Sequence, residues 1–163
     1  QGGMIAQYIA LKRKDLLKKL VLASTTFRFP QEKTEEWLAL SEENNPGKLA
    51  KTFCRMIYSE AFYRKIRLAL PLMYGNLSAE EKRHFAICAR ACIGFDLSDS
   101  LNRIDVPTLV LGSKKDRIIA SEDMIEMSRR IPDCEIYLYE GYAHAVYDEA
   151  ADFKERILSF FEK

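Results

Sequence analysis

Asp116 and His144 are the two residues of this chain whose types and placement could do chemistry together. Asp116 closes the run Val106-Pro107-Thr108-Leu109-Val110-Leu111-Gly112-Ser113-Lys114-Lys115-Asp116, where an apolar strand gives way to a polar turn. His144 ends Gly141-Tyr142-Ala143-His144, just after the next strand-like run, Cys134 to Tyr139. Open parallel sheets build their sites past the C-terminal ends of their strands, and both residues take such positions. At the other end of the chain, Gln1-Gly2-Gly3 has the form of the back half of a Gly-x-Ser-x-Gly turn, the sharp strand-to-helix corner that presents a nucleophile. The order is therefore nucleophile, acid, histidine, with the first member expected directly before residue 1. Such a set moves a proton away from a hydroxyl that is otherwise a poor nucleophile.

Other residues compete weakly for these roles. Asp96, Asp99 and Asp105 are acids, but none follows a strand at the right place. Ser24, Ser98, Ser113 and Ser121 lack a Gly-x-Ser-x-Gly context. His84, Cys88 and Cys92 fall at i, i+4 and i+8 on one face of a helix, and no further ligand stands at a spacing that would complete a metal site, so helix packing is the expectation. The four cysteines, Cys54, Cys88, Cys92 and Cys134, form no CxxC pair and read as reduced thiols of a cytoplasmic protein. A net charge of +1 sets up no field for nucleic acid or an anionic membrane. The basic run Lys12-Arg13-Lys14 with Lys18-Lys19 reads as a solvated helix end and turn. No apolar run approaches the roughly 20 residues of a membrane helix.

The elements that must position these residues follow from apolar spacing. Met4 to Lys14 reads as a helix with Ile5, Tyr8 and Ile9 inward. Residues 18–25 read as a strand whose consecutive apolar residues suit burial on both faces of a parallel sheet. From about Phe29 to Phe95 apolar residues recur at helical spacing, giving helices over Glu32 to Leu40, Gly47 to Tyr58, Ser59 to Leu70 and Ser78 to Ile93. Asn44-Asn45-Pro46-Gly47 and Tyr74-Gly75-Asn76 punctuate this block, and Ser78 with Glu81 forms a capping box. Strand and helix then alternate: Thr108 to Ser113, Ser121 to Arg130, Cys134 to Tyr139, and a last helix from Ala145 to Phe161. This rhythm predicts a parallel sheet with right-handed crossovers.

The elbow Gln1-Gly2-Gly3-Met4-Ile5-Ala6-Gln7, the strand from Ile104 ending at Asp116, and Gly141-x-x-His144 before an amphipathic helix together resemble the α/β-hydrolase superfamily, in the branch of capped esterases and 3-oxoadipate enol-lactonases. The resemblance covers the whole chain and implies the C-terminal half of that α/β fold: about three parallel strands with flanking helices, plus a helical cap. It divides the chain into core (1–28), cap (29–95) and core (96–163). It implies that His144 is the general base and Asp116 its acid partner, that the backbone N–H of Gln1 is an oxyanion-hole donor, and that Gly2 and Gly3 permit the tight elbow. No cofactor or metal is expected, and the substrate is a small ester, lactone or related acyl compound. The nucleophile is expected to be serine, with Asp or Cys as alternatives. Ala143 and Ala120 stand where the family often has Gly and Pro. Trp37, Phe53, Met56, Tyr58, Phe62, Tyr63, Met73 and Tyr74 are candidates for the pocket wall, and Arg55, Arg64, Arg67 and Arg90 for a substrate carboxylate. The missing first half should leave an open edge at strand 18–25, to be covered by that half as a separate fragment or by a second copy. The other reading is an inert truncated chain or interaction module.

Overall fold

The computed structural model describes residues 1–42, 45–70, 72 and 78–163. Three strands, β1 (Leu20–Ala23), β2 (Thr108–Ser113) and β3 (Cys134–Tyr139), form one parallel sheet in the order β1-β2-β3. Leu20 lies opposite Thr108, and Thr108 opposite Cys134. β2 is central and buried at all six of its residues, which is why its run reads Leu-Val-Leu without polar alternation. The strand predicted over 18–25 is shorter, leaving Lys18, Lys19, Ser24 and Thr25 outside β1; Lys19 instead donates to the Phe160 and Phe161 carbonyls at the end of the last helix, at 2.8 and 3.2 Å, where a cation meets the dipole.

Helices cover both faces. On one side lie α1 (Gly2–Lys12) and, further along the chain, the helix Ser121–Arg130, whose Met124 and Met127 are fully buried. They pack with Leu20, Leu22 and Val110. Gly112 lets the second of these helices approach β2, because a Cβ there would collide with the Met124 sulfur. On the opposite face Leu109 and Leu111 meet Phe153 and Phe160. α1 departs from its predicted orientation: Met4, Gln7 and Ala10 are buried, while Ile5, Tyr8 and Ile9 are 60%, 45% and 38% exposed. Apolar residues occupy more than one face of this helix. The face turned inward is the one that places the Gln7 amide against the Gly3 and Thr26 carbonyls.

Between β1 and β2 run α2 (Gln31–Ser41), α3 (Pro46–Ile57), α4 (Glu60–Ile66) and α5 (Ala79–Arg90), close to the predicted helices. Local chemistry starts them. Asn45 accepts from the Lys48 N–H with Pro46 at the first turn, Ser59 accepts from the Phe62 N–H, and Ser78 with Glu81 forms the reciprocal capping box. α2, α3 and α5 meet through Trp37, Phe53 and Phe85, with ring centroids 5.4 to 5.8 Å apart. After β2 come α6 (Ser121–Arg130) and, after β3, α7 (Val146–Glu149) and α8 (Phe153–Glu162). The single last helix predicted from 145 to 161 is thus broken at Ala150, which is extended (φ −84°, ψ 118°). Asp148 and Glu149 are bonded to Tyr58 and Ser59, so the chain must turn before Phe153 and Phe160 can reach the sheet. Among the described residues, no helix is long and apolar enough to cross a membrane.

Candidate active site

Asp116 reaches its position because β2 ends in a tight polar turn. The Ser113 hydroxyl is tied to the Tyr139 carbonyl (3.1 Å) and the Tyr142 carbonyl, and the Asp116 N–H returns to the Ser113 carbonyl at 3.3 Å. The carboxyl group is fully buried. One oxygen accepts from the Ile118 and Ile119 N–H groups at 2.8 and 2.9 Å, and the other lies 2.8 Å from Nδ1 of His144. A buried carboxylate is tolerable only with such donors around it.

His144 sits on the loop between β3 and α7, with its side chain 20% exposed. Its backbone is held on both sides. The Ser24 hydroxyl donates to the His144 carbonyl at 2.7 Å, and the next amide, Ala145 N–H, donates to the Ile57 carbonyl at 2.7 Å. With Nδ1 engaged by Asp116, Nε2 is left to exchange a proton with a group in front of it.

That group would lie in a cavity of about 230 Å³ lined by both Gln1 and His144. Gln1 caps α1, its carbonyl accepting from the Met4 and Ile5 N–H groups at 2.9 and 3.1 Å, and its side-chain amide reaches the Cys88 carbonyl. Gly3 is a true close approach: a Cβ there would lie within 2.6 Å of the Thr25 side chain. Gly2 is different, since a Cβ there would meet no atom within 4 Å. Polar Ser24, Thr25 and Thr26 form one rim, and Met4, Phe29, Trp37, Phe85, Ile118 and Ile119 form an apolar wall.

The predicted wall residues divide sharply. Trp37 lines the cavity, and Phe53 supports it edge-on. Met56 packs with the core; Tyr58 and Phe62 stack on each other at 4.7 Å; Tyr63 is buried beside Cys54. Met73 and Tyr74 lie outside the described residues. Of the arginines, Arg55 lies over the Tyr63 ring and Arg64 pairs with Glu60, and none of Arg55, Arg64, Arg67 and Arg90 lines the cavity. Phe29, Ile118, Ile119, the α5 residues Phe85, Cys88 and Ala89, and Cys92 just past the end of α5 were not anticipated as lining. The α5 set repeats along one helical face, the one signal that spacing offered. Asp105 is taken by Lys14 at 2.6 Å, and Asp96 by the Ser98 N–H at 2.8 Å. His84 is exposed beside Glu80, and no cluster of three His, Cys, Asp or Glu residues fit for a metal occurs among the described residues.

The family model for serine aminopeptidase S33 matches residues 1–151. A curated relative, the putative carbamate hydrolase RutD of Rhizobium rhizogenes, is 25% identical over 98% of this chain, and the chain spans 63% of that protein's length. The solved structure of MGS-M2, an α/β hydrolase from a Medee basin deep-sea metagenome library, matches 99% of the chain and 62% of its own, with a TM-score of 0.87 at 20% identity. A thermophilic esterase from Thermogutta terrifontis, with malate bound, matches 99% of the chain and 60% of its own, with a TM-score of 0.76 at 26% identity.

Proposed function

The chain belongs to the serine aminopeptidase S33 family of α/β hydrolases, and from that premise we propose that it supplies the acid, the histidine and one oxyanion donor of an acyl hydrolase. The observation that carries this reading is the buried Asp116–His144 pair, 2.8 Å apart and opening on the same cavity as Gln1. A serine directly preceding Gln1 would give its proton to Nε2 of His144 as its oxygen attacks the substrate carbonyl. Asp116 holds the Nδ1–H tautomer and faces the imidazolium that forms. The new oxyanion lies against the Gln1 N–H, at the corner that Gly2 and Gly3 shape. His144 then returns the proton to the leaving oxygen or nitrogen, and water repeats the cycle on the acyl group. An aspartate or cysteine nucleophile would use the same histidine.

In this reading residues 29–95 are the cap over a core made of 1–28 and 96–163. The substrate is a small ester, lactone or carbamate whose uncharged acyl part lies on the Trp37 and Phe85 wall. Fluorophosphonate labelling of protein purified from its source, read by intact mass, tests it. We expect an adduct on the serine before Gln1, at a rate that falls by about 10⁴-fold in His144→Ala. Labelling of His144→Ala at the wild-type rate would refute it.

A second reading concerns partners and rests on a separate observation. Among the described residues β1 pairs with β2 alone, and the Ile5, Tyr8 and Ile9 face of α1 is exposed. The preceding half of the fold, or a second copy of the chain, would cover that edge.

A further inference from the structure

We propose that the Ser24-Thr25-Thr26 segment is the buttress that sets His144 against the start of α1, with Ser24 as a positioning residue for the imidazole. The proposal rests on the reading of His144 as the general base. Three contacts carry it, one from each residue.

Ser24 is the first residue beyond β1. Its N–H continues the ladder to the Leu111 carbonyl at 2.8 Å, and then its backbone turns to φ 44°. It is the one non-glycine residue with positive φ among the described residues, and it is only 8% exposed. Serine has no steric reason to adopt the left-handed region, so the surroundings must hold it there. What that turn achieves is visible in the hydrogen bond: it aims the hydroxyl across the end of the sheet onto the His144 carbonyl at 2.7 Å. Thr25 points the other way and packs its side chain on Gly3 so closely that no Cβ fits there. Thr26 offers its carbonyl to the side-chain amide of Gln7 at 2.9 Å. That same amide donates to the Gly3 carbonyl at 3.1 Å, and Gln7 is fully buried.

Three consecutive residues thus hold the histidine loop through the Ser24 side chain, and the N-terminal half of α1 through the Thr25 side chain on Gly3 and the Thr26 carbonyl on Gln7. The path from Gln1 to His144 through them is far shorter than the covalent path through β2 and β3. A base and an oxyanion donor must be held to a fraction of an ångström relative to each other. Ser24 acts through the His144 backbone and touches no reacting atom in this scheme.

The chain has two histidines, so ring ¹⁵N and ¹H signals of uniformly labelled protein are easily assigned by comparison with His84→Gln. We expect a protected low-field Nδ1–H signal from His144. In Ser24→Ala its exchange with solvent rises roughly tenfold, the loss of one buried hydrogen bond, while the protection of β2 amides is unchanged. In Ser24→Gly the same acceleration appears although the backbone strain is relieved, so melting is no lower than in Ser24→Ala. Should Ser24→Ala fail to fold, Ser24→Gly alone decides. Exchange at the wild-type rate in the folded variants overturns the proposal. Acceleration shared equally by the β2 amides overturns it too, because that is a merely structural role. The measurement needs no turnover: if labelling is indifferent to His144 but the ring proton still responds to Ser24, the catalytic reading fails and the buttress stands.

Discussion

The Asp116 carboxyl is fully buried and faces three donors, so its two oxygens have separate duties: one anchors the turn through Ile118 and Ile119, the other orients the imidazole. Asp116→Asn keeps the shape but cannot accept on both sides and also hold the Nδ1–H tautomer. Hydrolysis by the active protein should fall by about 10⁴-fold while binding of an unreactive ester analogue persists; equal losses in both would point to misfolding instead. The thiol and phenol groups on β3 give a pH prediction. Burial pushes the Cys134 thiol up to about 11 from 9.0, and burial with the nearby Asp152 carboxylate pushes the Tyr139 phenol up to about 12 from 10.0. Both groups hold their protons more tightly in the folded state. Their stabilising contribution is therefore complete below pH 9.0 and is lost as pH climbs toward 11 and 12. Denaturant midpoints across that range should decline, and less steeply in Cys134→Ala with Tyr139→Phe; identical slopes would contradict it. Asp116 and His144 were legible in the sequence because each follows a strand that the apolar pattern marks. Ser24 was not, because a left-handed backbone and a bond spanning 120 residues leave no local trace.

Elements whose patterns admit one solution read plainly. β2, β3 and α6 take the residue ranges that spacing predicts. α1 did not reveal its inward face, since both candidate faces are apolar enough to be buried. The break at Ala150 came from tertiary bonds to Tyr58 and Ser59, which no propensity encodes. The cavity wall was illegible for the same reason, being assembled by α2 and α5 from opposite ends of a helical block. Caps, by contrast, are local. Ser78→Ala removes the half of the box in which the Ser78 hydroxyl accepts from the Glu81 N–H, and should cost about 1 kcal/mol, seen as a Tm lower by roughly 2–4 °C. Ala120 caps α6 at φ −60° and ψ 134°, a conformation proline adopts freely. Ala120→Pro should raise stability by about 0.5 kcal/mol through the unfolded chain; a fall would mean that the Ala120 N–H is needed.

At the scale of the whole molecule, both layers of helices are in place, while among the described residues β1 and β3 each pair with β2 alone and one face of α1 is exposed. Val21 and Ala23 on β1 are only half-buried, although Leu20 and Leu22 are enclosed. A dilution series by sedimentation should show association of the purified chain, weakened in Ile5→Glu with Ile9→Glu, which removes apolar area and adds repulsion. A clean monomer at low micromolar concentration would rule out self-pairing. The helices beside the cavity are not independent of the loop that carries His144. Ile57 and Tyr58 close α3 on Ala145 and Asp148, and Ser59 begins α4 on Glu149. Occupancy of the cavity and order in the loop are therefore expected to be linked: a ligand that fixes Trp37 should slow amide exchange at Ala145, and by reciprocity a loosened loop should weaken the ligand. Glu149→Ala, which removes the acceptor for Ser59, should reduce that coupling, read as a smaller effect of ligand on Ala145 amide exchange.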